Sequence, residues 1–392
     1  MKKHAFDLPN GLVYLDGNSL GPLPTAAKAR VAEVVSQEWG QLLIRGWNDA
    51  GWMAQPGTLG DRVGRLIGAP VGSVVLGDTL SIKVYQAVAA GLALRPDRRV
   101  ILSDTGNFPT DLYMANGLAQ MLDQGHTVKC VAPEDVSNHL NEEVAVMMLT
   151  EVDYRTGRKH EMADLTARAQ AVGAITVWDL AHSAGALPVD LHGSGAEIAV
   201  GCTYKYLNGG PGAPAFIYVR PDLAETVNPA LAGWLGHAAP FDFDPNYRPA
   251  DAVQRMRVGT PSVLQMAALE AALDIWDDVS MQDVRDKAIT LSETFIAGVE
   301  SECPELSLAS PRTPADRGSQ VSFAFENGYP AMQALIARGV IGDFRAPDIM
   351  RFGITPLYLE MSDIERAVDI LADVMGNRLW DKPEYKVRSA VT

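Results

Sequence analysis

The sequence predicts an α/β protein, with a mostly parallel sheet covered by helices on both faces and a smaller α+β unit after it. Three observations carry this expectation. Between about residues 70 and 220, short runs rich in Val and Ile alternate with helical stretches. Those runs are nearly continuously apolar, as in strands buried on both faces. The length of 392 residues exceeds what one hydrophobic core ordinarily serves, which asks for a second unit.

Taken in order, GLVYLDGNSLGPLP reads as extended, and a helix is expected near 24–39. The strand candidates SVVLG, RVILSD, HTVKCVA, VAVMMLTEV, AITVWDL and PAFIYV follow, with helices at 81–95, 109–124 and 161–173. After about residue 255, helices are expected at 261–276, 281–301, 330–338 and 362–377. Among them lie the strand candidates SQVSFAF, VIGDFRAP and IMRFGI. This divides the chain into an N-terminal segment (1–50) packing on the small unit and the site, a large α/β unit (51–255) and a small α+β unit (256–392). The tail from residue 379 is polar and expected to be loosely held.

Composition narrows the function classes. A net charge of −15 argues against nucleic-acid or anionic-membrane surfaces, which attract basic patches. No apolar run approaches the ~18 residues of a membrane span, and MKKHAFDLPNGL carries no apolar stretch of the secretory kind behind its lysines. Cys130, Cys202 and Cys303 are far apart and show no ligand spacing, so reduced thiols in a cytoplasmic protein are expected.

In a parallel sheet, ligands bind beyond the carboxyl ends of the strands, and several polar groups fall there. AITVWDL finishes in Asp179, with His182 just after it; a buried acid needs a cationic partner unless it caps a helix. Lys205 in TYKYLNGGPG follows another strand-like run, IAVGCTY, between Tyr204 and Tyr206. GDTLSIK joins a strand to a helix and offers Ser81 and free amides to an anion. GNFPTD supplies Phe108, either a cover for a flat ring or ordinary core, and opens a helix with Thr110 and Asp111.

Several cofactor chemistries lack their parts. No GxGxxG follows the first strand of the large unit, no P-loop or GxSxG elbow occurs, and the seven histidines are scattered. A lysine free for a Schiff base, an acid for a ring nitrogen, an aromatic cover and a phosphate cradle remain. These match the needs of pyridoxal phosphate.

The motifs WDLAHSAG and YKYLNGGPG resemble those of fold-type-I, class-V aminotransferase-like enzymes that use pyridoxal 5′-phosphate. YLDGNSLGPLP, NFPTDLYM, LTEVDYRTGR, WDLAHSAGALPVDL, TYKYLNGGPGAPAF, GWLGH, RVGTPSVLQM and RFGITPLY are similar to the kynureninases in particular, in order from about residue 14 to 358. The resemblance implies a seven-stranded-type sheet and a Schiff base at Lys205. Asp179 would face the ring nitrogen, His182 would lie beside the ring, and Phe108 would stack on it. Leu80, Ser81, Tyr204, Trp234 and Thr260 would surround the phosphate, Thr260 reaching across from a partner subunit. Pro109, Thr110, Asp111 and Thr150 complete the cofactor contacts. Arg351 would clamp the substrate carboxylate through two bonds, although by itself it also reads as a surface strand charge. Asn18, Ser19 and Trp47 would line the aryl pocket.

The implied activity is hydrolysis of L-kynurenine to anthranilate and L-alanine, with 3-hydroxykynurenine the poorer substrate and Tyr204 handling the proton at Cβ. A homodimer with shared sites and no metal is implied. Two rivals remain: a cysteine desulfurase or selenocysteine lyase, which needs a catalytic Cys on a late loop, and a non-catalytic protein that binds pyridoxal phosphate.

Overall fold

The computed structural model describes residues 1–388. In chain order its strands are β1 (Val13–Tyr14), β2 (Val74–Leu76), β3 (Val100–Asp104), β4 (Thr127–Val131), β5 (Val144–Thr150), β6 (Ile175–Asp179), β7 (Ile198–Gly201), β8 (Phe216–Val219), β9 (Ser307–Leu308), β10 (Gln320–Ala324), β11 (Val340–Ile341), β12 (Asp343–Arg345) and β13 (Ile349–Gly353).

A seven-stranded sheet in the order β2-β8-β7-β6-β5-β3-β4 forms the centre of the large unit. The pairs among β3 to β7 are parallel, and only β8 runs against its neighbours β2 and β7. The reversal follows from the glycine-dense turn after Lys205, where Asn208, Gly210 and Gly212 all take positive φ and send the chain straight back. Every residue of β5 to β8 is buried. Successive side chains pack on opposite faces, so Val146 and Met148 join one core while Met147 and Leu149 join the other. The helices Leu80–Ala93 and Pro109–Leu122 belong to the first of these cores and Met162–Ala171 to the second.

A second sheet, β12-β13-β10-β9, is antiparallel and packs with the helices Met281–Glu302, Gly328–Ala337 and Met361–Gly376. VIGDFRAP, read as one strand, divides at Gly342 into β11 and β12. A side chain at Gly342 would meet the Arg351 carbonyl and Met332. β1 pairs in parallel with β11, so the N-terminal segment is tied to this smaller unit. From there it crosses to the large unit, where Gly21 N–H donates to the Tyr204 carbonyl at 2.8 Å.

One expected helix is corrected. The stretch near 24–39 is α-helical only over Thr25–Glu33 and continues as a π-helix over Val34–Leu42, ending at Leu43 with φ 53°. Over two turns, apolar spacing cannot separate i→i+4 from i→i+5 winding. The tail contains a short helix at Pro383–Lys386, and its last residues, 389–392, lie outside the described residues.

Candidate active site

The crevice lies at the carboxyl ends of β3, β5, β6 and β7. Parallel register sets Thr150 beside Asp179. Asp179 is buried, and its Oδ1 accepts from Ala181 N–H at 2.9 Å. The helix Pro109–Leu122 brings Asp111 against it; Asp111 is also buried, and its Oδ2 meets no donor. Burial raises the proton affinity of both acids, to about 6 for Asp179 and well above the usual carboxylate range for Asp111, where the Asp179 charge adds to it. The Lys205 ammonium opposes the rise at each. Two buried acids thus share one nearby cation.

Lys205 follows the end of β7, and its Nζ lies 2.9 Å from Nε2 of His182. Burial, then the charges of Lys205, Arg351 and Arg345, hold the imidazole well below its ordinary proton affinity. A neutral ring accepts from the ammonium, and its buried Nδ1 has no partner. The amine stands 5.9 Å from the Phe108 ring centroid and 5.8 Å from that of Tyr204. Phe108 precedes its helix in extended conformation, is 39% exposed, and packs edge-on against Tyr154. It is therefore not core. Burial and the neighbouring Cys202 push the Tyr204 phenol up, so it stays protonated and able to donate.

Leu80 and Ser81 open the helix Leu80–Ala93, whose first amides point to the same end of the sheet. The fully buried Lys83 behind them pairs with Asp78 at 3.0 Å and donates to Gln86 and the Met256 carbonyl. A flat, phosphorylated aldehyde with a protonated ring nitrogen fits these residues. Lys205 would hold it, Asp179 and Asp111 would take the ring cation, Phe108 would cover it, and Leu80 and Ser81 would meet its anion. Pro109 and Thr110 are half-buried at the start of the helix Pro109–Leu122. Thr150 is buried with its hydroxyl on the backbone of Val152 and Asp179, at 3.4 and 3.5 Å.

Arg351 on β13 is 2% exposed. Its Nε donates to Asp343 Oδ1 at 2.6 Å, Nη2 to Asp343 Oδ2 and to Ser19 Oγ at 3.0 Å, and Nη1 to the Tyr154 carbonyl at 2.5 Å. Four of the five N–H groups are therefore committed. A two-point grip on a carboxylate needs the place that Ser19 Oγ holds. The reading of Arg351 as a surface strand charge is excluded by its burial. Asn18, expected to line the aryl pocket, is instead fully enclosed: its Nδ2 donates to Gln320 at 3.2 Å and it packs against Gly353. Its role is to pin the segment that presents Ser19.

Three expected residues lie elsewhere in the single chain. Trp47 and Thr260 line an apolar surface groove of about 510 Å³ with Val34, Trp39 and Trp52. Trp234 is 43% exposed and packs edge-on against Phe241. Sequence reasoning also missed several site residues. Asn107 pins the Phe108 turn, accepting from Phe108 N–H at 2.7 Å and donating to Ser103 at 3.0 Å. Asn before a helix start was the available signal. Asp343 and Arg345 announced nothing, because their meeting with Arg351 depends on the β12–β13 register.

A family model described as the kynureninase C-terminal domain matches residues 284–371. The kynureninase of Pseudomonas fluorescens is 48% identical over 100% of this chain and 95% of its own length. That of Burkholderia pseudomallei (strain 1106a) shows the same identity and the same coverage. Among solved structures, a C-DES mutant with glycine covalently linked to the PLP cofactor aligns with TM-score 0.82 at 19% identity, over 95% of this chain and 99% of that one. The apo cysteine desulfurase of Thermococcus onnurineus NA1 aligns with TM-score 0.80 at 18% identity, over 96% and 97%. These two structures bear on the fold alone. Near-complete alignment at 48% identity settles the family, and the chain belongs to the kynureninases.

Proposed function

We propose that this enzyme uses pyridoxal 5′-phosphate to hydrolyse L-kynurenine to anthranilate and L-alanine, breaking the Cβ–Cγ bond. The observation that carries the reading is the Lys205 amine set 2.9 Å from His182 and 5.9 Å from the Phe108 ring centroid, with two buried acids feeling its charge, in a chain with kynureninase relatives along its whole length.

The cofactor supplies the electron sink that makes the substrate Cα–H acidic and the Cβ–Cγ bond cleavable. Asp179, with Asp111 beside it, would hold the proton on the ring nitrogen. Lys205 would hold the cofactor, and its free amine would move the proton at Cα. His182, kept neutral, orients the amine by accepting from it. Arg351 holds the α-carboxylate. Water adds to the γ-carbonyl carbon, the Cβ–Cγ bond breaks with that oxygen retained by anthranilate, and Tyr204, protonated until then, gives its proton to Cβ. Phe108 and Tyr154 wall the cofactor face, and Leu80 and Ser81 meet the phosphate; Trp47 and Trp234, which lie away from the crevice in the single chain, would reach an aryl side and a phosphate only across a subunit interface. L-Kynurenine is the preferred substrate over its 3-hydroxy form.

A homodimer completes the site. Trp39 and Leu264 are exposed in the groove that contains Trp47 and Thr260, and a second copy seated there would receive Thr260 at its phosphate. We place the enzyme in the cytoplasm, consistent with three free cysteines; no helix among the described residues is long and apolar enough to cross a membrane. The desulfurase reading finds no poised thiol. Cys303 is buried and pushed up to about 12 by burial, then by Glu305 and Glu302, and burial raises Cys202 and Cys130 too.

The test is an absorbance spectrum of the purified protein followed by an anthranilate fluorescence assay with L-kynurenine. A cofactor band with anthranilate release supports the reading; a band without turnover returns the non-catalytic alternative, and sulfide released from cysteine the desulfurase.

A further inference from the structure

Arg351 does not stand alone. Asp343, directly across the β12–β13 ladder, shares its Oδ2 among Arg351, Ser19 Oγ at 2.6 Å and Arg345 Nη2 at 2.9 Å. Arg351 and Asp343 cancel each other's charge, so a carboxylate arriving at this pair would meet a neutral dipole with an acid close by. Asp16 adds another acid. Its Oδ1 is buried without a donor, and burial followed by the Asp343 charge pushes it up to about 7. Asp343 itself resists the rise that burial would cause, because the Arg351 bonds hold it below the usual carboxylate range.

Arg345 changes this balance. Two guanidinium groups, those of Arg351 and Arg345, meet the one carboxylate of Asp343, so this pair of arginines is not fully neutralised by it. Arg345 is also the cation with donors to spare. Its side chain is 36% exposed; it forms an ion pair with Asp343 Oδ2 and donates a hydrogen bond to the carbonyl of Phe344 at 2.9 Å. Arg351, by contrast, has one uncommitted N–H. Both arginines lie close enough to His182 to depress its basicity, so their charges reach the Lys205 crevice.

We propose that Arg345 is a second cationic arm of the substrate-carboxylate site, sharing that carboxylate with Arg351, and that Asp343 is the positioning residue that holds both guanidiniums in place. The inference rests on the proposed reading of the site, in which an α-amino acid binds at Lys205. Burial, followed by repulsion from Arg351, lowers the Arg345 proton affinity, and an incoming carboxylate relieves that repulsion.

The test compares L-kynurenine with the amine that differs only in lacking the α-carboxylate, in the holoenzyme and in Arg345→Gln and Arg345→Lys. For Arg345→Gln the KM of L-kynurenine should rise roughly tenfold to a hundredfold, as for loss of a charged hydrogen bond. The inhibition constant of the amine should stay within about twofold, and kcat should change less than KM. Arg345→Lys keeps the charge but not the fork, and should recover part of the loss. Equal weakening of acid and amine, or no weakening of the acid, overturns the proposal. If the glutamine variant fails to fold, the acid-to-amine ratio of the lysine variant decides by the same criterion. Wild-type protein that releases no anthranilate would overturn the substrate reading instead, and the carboxylate preference is then read from binding of the two compounds.

Discussion

Lys205 Nζ rests 2.9 Å from His182 Nε2, and the other imidazole nitrogen is buried without a partner. An imidazole held neutral by burial and three nearby cations is an acceptor throughout the working pH range. It therefore aims the lysine and does not itself titrate there. His182→Leu should lower kcat about tenfold to a hundredfold by leaving the amine unheld, whereas His182→Gln, with an acceptor, should retain more activity. Neither should move the acidic limb of the kcat/KM profile, and a shifted limb would show that His182 titrates after all. Lys205→Ala should lose both the visible cofactor band and turnover.

Asp111 and Asp179 make the cofactor-free protein sensitive to pH. Each carboxyl binds its proton more tightly folded than unfolded, mainly because burial penalises the charge. The folded state therefore holds more protons above about pH 4, and its stability falls as pH rises through the raised values. Melting of the apoprotein between about pH 5 and 8 should drop by several degrees more in wild type than in Asp111→Asn. Adding the cofactor, which brings a cation to the pair, should remove most of the slope. An apoprotein with a flat profile would mean that the pair is already neutralised.

Lys205, Asp179 and Phe108 were legible because strand ends in a parallel sheet are where polar residues converge, and their strands are unbroken apolar runs. The carboxylate cluster was not. Asp343 reaches Arg351 through an antiparallel register, and Arg345 through a shared carboxylate oxygen, neither of which leaves a spacing signal. Asn18 and Ser19 are neighbours in one motif, yet one is a packing residue and the other faces the arginine, a distinction made by the crossing of the N-terminal segment. The π-helical Val34–Leu42 was equally hidden. Local pattern specifies elements; contacts between distant segments decide which polar residue faces the crevice.

Glu151, next to Thr150 at the end of β5, is a buried acid with no assigned task. Its Oε2 has no hydrogen-bond partner, and burial pushes it up to about 7, opposed by Ser183 and by the Lys159 charge. A raised carboxyl lowers stability as pH climbs from its unfolded value through its folded one. Glu151→Gln removes that ionisation. It should stabilise the protein by about 2 kcal/mol at pH 8 and by little at pH 5, read as denaturation midpoints at the two pH values. Equal effects at both would show that Glu151 does not ionise differently on folding.

Gly21 is where the N-terminal segment meets the lysine turn. Its N–H donates to the Tyr204 carbonyl at 2.8 Å, and a side chain there would collide with the Lys205 carbonyl oxygen and the Asn208 backbone. Both obstacles are main chain, so neither can swing aside; the turn itself must shift. Asn208 is fixed in that turn at φ 59°, with its Nδ2 on the Tyr206 carbonyl at 2.8 Å, which leaves Lys205 and Tyr204 to absorb the movement. Gly21→Ala should therefore displace two proton-handling groups at once. A displacement near 1 Å is enough for about a hundredfold loss of kcat, while melting should fall only modestly because the core is untouched. The absorbance of the bound cofactor should survive, since Asp179, Asp111 and Phe108 lie on other elements. Wild-type kcat in this variant would mean that the segment yields and the lysine turn does not.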